Sequence, residues 1–230
     1  MRLPELGFGA ANVEDRLAAL ATKPLNYDPN AVSGPGWHRD DYHRPLPAEP
    51  PGEPAPGHSW EIACRLSRDY AFADPKLVEA HFDPGVPFEG RDMLLVLRAF
   101  GLRIDAGVRV AAVFEGERSL DDRPARLFAW SYRTLEGHIE AGERAFEVWK
   151  RLDSGEVEFR THSFSRPAAR NPLVLVGFRL VGRHKQAEFG ERACARMATL
   201  TEAAVRAAAS PARSEAAFAA GEDDFDRLEP

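Results

Sequence analysis

The residues best suited to chemistry in this sequence lie in the stretch 130–143. It contains one histidine, His138, followed closely by two glutamates, Glu140 and Glu143. Imidazole titrates near neutrality, and burial can raise the pKa of a carboxylate toward the same range, so such a set can exchange protons with a ligand. These three residues are the candidate catalytic groups. The structural alternative is that His138 satisfies backbone groups at a tight turn.

The spacing in this stretch predicts a hairpin whose turn brings Tyr132 and His138 close together. If the strand after the turn pairs regularly, Glu140 points inward. A bulge at Gly142 would reverse the alternation and point Glu143 inward instead. The sequence leaves both arrangements open.

The predicted ligand site combines the aromatic and charged residues of this hairpin and of a later strand end: Trp130, Tyr132, His138, Glu143, Phe146 and Arg166. Arg166 can bind an anionic head group or the carboxylate of Glu143, and the internal ion pair is the preferred interpretation. His162 alternates with the apolar residues of its own strand and is expected to face outward. No metal site and no cofactor are therefore predicted.

Five strand-like segments, separated by turn residues that include Gly116, cover the middle of the chain. They are 93–100, 103–114, 125–133, 138–151 and 156–164. Connections this short imply antiparallel hairpins, since parallel pairs need a long crossover. Large apolar residues alternate along several of these segments, which predicts a sheet with one face that must be covered.

A long helix is predicted to provide that cover. After Asn171-Pro172, apolar residues recur at three- and four-residue spacing from Phe189 to Ala204, as on one face of a helix. The length of the segment favours a break near Gly182 or Gly190, or a helix end that protrudes beyond the sheet.

Two shorter elements are predicted before the five strands. Alternation over 60–66 predicts a strand, and Asp74-Pro75 predicts a short helix ending near Phe82. The resulting order, one strand, a helix, five strands and a long helix, is that of the helix-grip fold. The fold class is therefore α+β: a curved antiparallel β-sheet wrapped around a long C-terminal helix (START-like), with an irregular N-terminal extension.

Three regions are expected along the chain. Residues 1–57 combine a helix from Asn12 to about Thr22 with a proline-rich linker, whose six prolines over 45–56 disfavour helix and sheet pairing. Residues 58–207 form the helix-grip domain. Residues 208–230 form an acidic tail that is expected to be disordered.

Composition limits the possible partners and compartment. A net charge of −6 argues against a nucleic-acid binder, and the sequence lacks the long apolar run of a membrane span. Cys64 and Cys194 stand far apart and suggest neither a disulfide framework nor a metal motif, so a cytoplasmic location is expected. The basic residues of the long helix are interpreted as a solvated face: Arg179, Arg183, Lys185, Arg192 and Arg196.

The central motif resembles the family catalogued as domain of unknown function 1990, found in bacteria and plants. That family shows an aromatic-x-Tyr-x-Thr-Leu-x-Gly-His-x-x-x-Gly-Glu core followed by Ser-Arg-Pro. The matching positions are Trp130, Tyr132, Thr134, Leu135, Gly137, His138, Gly142, Glu143, Ser165, Arg166 and Pro167, with Gln186 and Phe189 similar to its helix pattern. Arg133, Glu136 and Ile139 depart from the pattern. The resemblance extends from about Pro24 to Met197, and it implies a site without implying a reaction.

The function expected from these observations is the binding of a small apolar or amphipathic molecule in a cavity between sheet and C-terminal helix. Two alternatives remain open. One is an enzyme that uses His138 with Glu140 or Glu143 as acid and base. The other is an interaction module that uses the basic helix face. The ligand, any reaction and the oligomeric state are not determined by the sequence.

Overall fold

The computed structural model describes residues 12–32, 36–99, 102–168 and 183–209. Its seven strands are β1 (His38–Leu46), β2 (Val78–His81), β3 (Asp92–Ala99), β4 (Leu102–Leu120), β5 (Arg123–Thr134), β6 (Glu140–Arg151) and β7 (Val157–Pro167). Its α-helices are α1 (Val13–Ala18), α2 (Ser59–Arg68) and α3 (Arg183–Ala209), and Pro29–Ala31 form a 3-10 turn. All strands belong to one antiparallel sheet in the order β1-β7-β6-β5-β4-β3-β2. The predicted helix-grip fold, a curved antiparallel sheet with a long C-terminal helix, is confirmed.

The two faces of the sheet carry different partners. The inner face, which lies against α2 and α3, holds the main core, including Trp130, Phe146 and Phe159. The outer face carries smaller apolar clusters. One of them packs α1 and Leu20 against Leu94 of β3. Because side chains alternate between faces along a strand, each strand contributes to both layers.

The five central strands match the sequence prediction closely, and β3 to β7 pair with their chain neighbours through short connections. The predicted break at Gly116 is wrong, because this glycine pairs with Leu127 inside the longer strand β4. Asn12 caps α1 as predicted, with its side chain accepting a hydrogen bond from the amide of Glu14.

The two shorter elements were predicted with the wrong type. Residues 60–66 belong to helix α2, whose buried residues Trp60, Ala63, Cys64 and Ser67 recur at helical spacing. The alternation of large side chains in this stretch masked that pattern. Residues 74–82 contain the short strand β2, which pairs with β3 at the sheet edge, so tertiary pairing overrides the helix signal of Asp74-Pro75.

The proline-rich region also holds an unpredicted strand. β1 pairs with β7 along its whole length and includes Pro45, although sheet pairing was not expected from the prolines. It is an edge strand, where a residue without an N–H is tolerated. The boundaries 1–57, 58–207 and 208–230 stay predictions. Asn171-Pro172, Gly182 and nearly all of the acidic tail lie outside the described residues.

Gly190 lies within α3 and marks a close approach of helix and sheet. Of the alternatives offered for the long helix, a break at Gly190 is not observed, because α3 continues through this residue. A Cβ at this position would lie 2.3 Å from the Tyr42 ring on β1. The glycine therefore lets the helix pack directly on the edge strand.

Replacing Gly190 with alanine is expected to destabilise the protein. Alanine would favour the helix by about 1 kcal/mol, whereas forcing extra atoms into a packed contact costs about 1–3 kcal/mol. The ring contact outweighs the gain in helix propensity, so the net loss is up to about 2 kcal/mol, measurable by urea unfolding. The double variant Gly190→Ala/Tyr42→Leu removes the ring. If Gly190→Ala is as damaging in that background, the ring contact is not the cause.

Candidate functional site

Three polar side chains lie in a row across the inner face of the sheet. Tyr132 on β5 is directly opposite Arg144 on β6, and Arg144 is directly opposite Ser163 on β7. All three are buried. Toward the other end of the same strands the inner face is apolar, with Phe146 and Phe159 among its residues. The row is therefore a polar region at one end of an aromatic layer.

A small cavity of about 40 Å³ lies at this row. Its lining consists of Tyr132, Thr134, His138, Glu140, Gly142, Glu143, Arg144, Ser163 and Ser165. Helix α3 reaches the same place, since the Gln186 side chain donates a 2.9 Å hydrogen bond to the hydroxyl of Ser165. We call this space the polar pocket.

Arg144 is the most unusual group of the polar pocket. Only 7% of its surface is exposed, and its Nη1 is buried without a hydrogen-bond partner. Its guanidinium carbon lies 5.0 Å from the ring centroid of Phe189 on α3. Within the described part of the chain, no carboxylate lies in salt-bridge distance of it. A buried charge without a counter-ion is unfavourable, so its retention needs an explanation.

Hydroxyl groups beside Arg144 also lack partners. The Oγ of Ser163 and the Oγ1 of Thr161, two residues along β7, are buried without a hydrogen bond. Burial raises the pKa of Tyr132 and, even more, that of Tyr70, so both phenols are neutral. The pocket thus offers a fixed cation together with neutral hydrogen-bond donors.

His138 lies at the rim of the polar pocket and is tied to its own hairpin. Its Nδ1 accepts a 2.9 Å hydrogen bond from the backbone amide of Glu140. Burial lowers the pKa of His138 to about 4. The imidazole is therefore neutral at pH 7, with Nδ1 occupied and the proton on Nε2. This hydrogen bond is the backbone role that the sequence offered as its structural alternative.

Glu143 and Arg166 do not form the predicted ion pair. Regular pairing of β6 with both neighbours places Glu143 on the outer face, where its Oε2 accepts a 2.8 Å hydrogen bond from Nε of Arg133. Arg166 also points to the outer face and lies over the Trp37 ring, 4.8 Å from its centroid. The preferred interpretation of Arg166 is wrong, because Glu143 pairs with Arg133 on β5, whereas Arg166 lies opposite Ala141 and over the Trp37 ring.

Of the two arrangements that the sequence left open, the bulge at Gly142 is absent from the strand pairing, so the alternative with Glu140 on the inner face is the one observed. Gly142 serves a different purpose. A Cβ there would lie 2.1 Å from the carbonyl oxygen of Phe164, so glycine allows β6 and β7 to approach closely beside the pocket.

The N-terminal segment closes the hairpin end of the pocket. The side chain of Asn26 donates to the carbonyl of Glu140 at 2.7 Å, and its oxygen accepts from the Thr134 hydroxyl at 2.6 Å. The same hydroxyl accepts from the amide of Gly142 at 2.9 Å. This network positions the turn that carries His138.

Trp130 and Phe146 pack in the core instead of lining an open space. Their ring centroids are 4.7 Å apart, and Phe72 lies 4.7 Å from Phe146. The indole of Trp130 donates to the hydroxyl of Ser67 on α2 at 2.9 Å. In the described ranges these rings pack against one another, and the polar pocket borders this aromatic layer.

The described residues give no support to a metal site or to a binding role for the basic helix face. They contain no group of three histidine, cysteine or acidic side chains placed to hold a metal ion. His162 faces outward, as predicted, 3.8 Å from Glu147. None of the helices in these ranges has the length and apolar character of a membrane span.

The basic face of α3 forms ion pairs within the chain. Arg192 pairs with Asp74, and Lys185 pairs with Glu188, so part of this face is not free to bind a partner.

The sequence profile of the family called domain of unknown function DUF1990 matches residues 24–196. The chain belongs to this family. The matched range starts just before Asn26 and ends in α3, so this DUF1990 region includes the hairpin, the polar pocket and its helical cover. A search among curated proteins returns no match.

Solved structures similar to this DUF1990 protein share the fold at low identity. A norcoclaurine synthase mutant from Thalictrum flavum, in complex with a transition-state analogue, is 7% identical, with a TM-score of 0.42, and covers 72% of this chain and 94% of its own. A hypothetical protein from Helicobacter pylori is 10% identical, with a TM-score of 0.45 and coverages of 77% and 96%. Major latex-like protein 151 from Panax ginseng is 12% identical, with a TM-score of 0.38 and coverages of 67% and 98%. The likeness concerns the fold alone.

The sequence interpretation missed Arg144 and Ser163. Arg144 shares the parity of Phe146 and Val148, so a charged residue stood on the apolar face of a predicted strand. That pattern is a signal, because an unpaired charge is rarely retained in a core without a function.

Proposed function

We propose that the protein binds a small amphipathic molecule whose polar head group enters the polar pocket. The observation that carries this proposal is the buried row of Tyr132, Arg144 and Ser163, in which Nη1 of Arg144 and Oγ of Ser163 lack partners beside a cavity. Polar groups buried in this way are stabilised when a ligand or ordered water supplies the missing hydrogen bonds. The helix-grip fold of the DUF1990 family is compatible with this role.

The size of the pocket limits what it can hold. A water molecule needs about 10–15 Å³ of such space, so 40 Å³ admits a group of roughly three non-hydrogen atoms. A complete drug-sized ligand needs several hundred Å³. The pocket therefore suits a head group, with the remainder of the molecule outside it. The proposed site therefore holds only the head group, whereas the sequence predicted a cavity for the whole molecule.

The enzyme alternative receives less support. A general acid or base works best when its pKa lies near the operating pH, whereas burial holds the pKa of His138 at about 4. Its Nδ1 is also occupied by the amide of Glu140. The neutral imidazole can still donate a hydrogen bond from Nε2 to a bound head group.

Filling the pocket should abolish binding, whereas removing one hydroxyl should not. Ser163→Leu places two additional non-hydrogen atoms beside the cavity, whereas Ser163→Ala deletes an oxygen that has no partner. Native mass spectrometry of freshly purified protein is expected to show a non-covalently bound small molecule on wild type and Ser163→Ala, and none on Ser163→Leu. Circular dichroism checks that the leucine variant is folded.

The proposal fails if Ser163→Leu retains the same bound mass as wild type. It also fails if wild type carries no small molecule and binds none of three amphiphiles with different head groups: 1-octanol, octanamide and octanoate. Ser163→Val, which adds less volume, replaces the leucine variant if that variant does not fold.

A further inference from the structure

We infer that the head group recognised in the polar pocket is a carboxylate, held by the guanidinium of Arg144. This inference rests on the proposed function and specifies the ligand class of the same site. Arg144 is the positively charged member of the row, and its Nη1 is buried with no partner. An anion would supply both the missing charge and the missing hydrogen bond.

The neighbours of Arg144 favour an anionic head group over a neutral one. Ser163 lies directly opposite on β7, and its Oγ has no partner, so its hydroxyl can donate to a ligand oxygen. Tyr132 lies directly opposite on β5, and its neutral phenol can donate as well. Three donors that converge from three adjacent strands match the several lone pairs of a carboxylate.

The two acidic residues that line the pocket do not exclude this arrangement. Glu143 is paired with Arg133 on the outer face of the sheet. Glu140 lies four residues before Arg144 on the same face of β6, which separates their Cα atoms by about 13 Å along an extended strand. Glu140 and the neutral His138 therefore lie at the hairpin end of the pocket, and the carboxylate is assigned to the Arg144 end.

The volume of the pocket favours a small anionic head group over a larger one. A carboxylate has three non-hydrogen atoms, which is about the number that 40 Å³ admits. A phosphate monoester head has more atoms and a larger radius. The guanidinium fork also matches the planar carboxylate geometry through paired N–H···O bonds. Carboxylate is therefore the class that fits both charge and size.

The test compares probes that share one alkyl chain and differ in the head group. Octanoate, octanamide, 1-octanol and octyl phosphate are titrated into wild-type protein at pH 7 by isothermal titration calorimetry. Octanoate is expected to bind about tenfold or more tightly than octanamide, because a charge-assisted hydrogen bond is stronger than a neutral one. Octyl phosphate is expected to bind more weakly than octanoate.

Two arginine variants provide matched controls. Arg144→Met removes the charge at similar length, and it is expected to abolish the preference for octanoate over octanamide while octanamide binding persists. Arg166→Met removes the exposed arginine over Trp37, and it is expected to leave the preference unchanged. Arg144→Lys keeps the charge without the fork and should retain part of the preference.

The stability of the ligand-free protein is a second readout. Stripped of bound molecules, Arg144→Met is expected to melt at or above the wild-type temperature, because it removes a buried charge that has no counter-ion. A purely structural arginine would instead lower the melting temperature when replaced.

Three results overturn the carboxylate assignment. They are equal binding of octanoate and octanamide to wild type, tighter binding of octyl phosphate than of octanoate, and an unchanged octanoate preference in Arg144→Met. In each of these cases a ligand still binds, so the proposed function survives. Absence of binding by all four probes rejects both the assignment and the proposed function.

Discussion

Replacing Lys150 with methionine is expected to lower the free energy of unfolding by about 3–5 kcal/mol, because it leaves a buried carboxylate without its counter-ion. Lys150 on β6 and Glu49 have fully buried side chains, and their charged atoms are 2.7 Å apart. Glu49 also accepts a 2.6 Å hydrogen bond from the amide of Trp60 in the first turn of α2, whose N-cap His58 makes no side-chain bond. The pair therefore joins the proline-rich segment, the sheet and the start of α2.

Urea unfolding of four proteins tests this expectation. Lys185→Met removes a partly exposed ion pair with Glu188 and should cost about 1 kcal/mol or less. The double variant Lys150→Met/Glu49→Gln should recover much of the loss, because a neutral amide oxygen still accepts from Trp60. A small loss in Lys150→Met, comparable to that of the Lys185 variant, would contradict the anchoring role.

Acidification should destabilise the protein through His138. An unfolded histidine has a pKa of about 6.5, whereas burial holds the folded pKa of His138 at about 4. Above pH 6.5 both states are neutral, so this residue contributes no pH dependence. Between pH 6.5 and 4 only the unfolded state binds the proton, so stability falls by up to about 3 kcal/mol as the pH is lowered through this window.

Urea unfolding at pH 7, 6 and 5 checks the prediction by comparing variants. His138→Asn offers an oxygen near the position of Nδ1 but does not titrate, so its stability should fall less than that of wild type by about 2 kcal/mol at pH 5. His162→Asn changes an outward-facing imidazole and serves as the control. Parallel pH profiles for wild type and His138→Asn would show that His138 is not the responsible group.

Much of this fold was predictable because β3 to β7 alternate apolar and polar residues and connect through short turns. These signals are local. The errors occur where the decisive contact lies far away in sequence. Residues 78–81 form strand β2 because they pair with the edge of β3. In the same way, residues 38–46 form β1 because they pair with β7. The polar sequence of β1 resembles a loop until that pairing is known.

The site was predicted less completely than the fold. The motif located the hairpin beside the polar pocket, and its tyrosine and histidine line that pocket. The sequence could not decide whether Gly142 forms a bulge, and this ambiguity made Glu143 and Arg166 plausible inner residues. Regular pairing places Arg144 there instead. Strand register depends on contacts across the whole sheet, which a local motif does not contain.

The pairing of β1 with β7 has a consequence for how the chain is made. Partners in this ladder, such as His38 and Ser165, are separated by roughly 110 to 130 residues, which makes it the most non-local pairing of the sheet. At a synthesis rate of about 5–20 residues per second, β1 leaves the ribosome many seconds before its partner exists. The charged residues and the proline of β1 protect it during this interval, because they disfavour strand pairing with other nascent chains. The sheet is completed only after β7 has been synthesised, so β1 docking is a late event during biosynthesis.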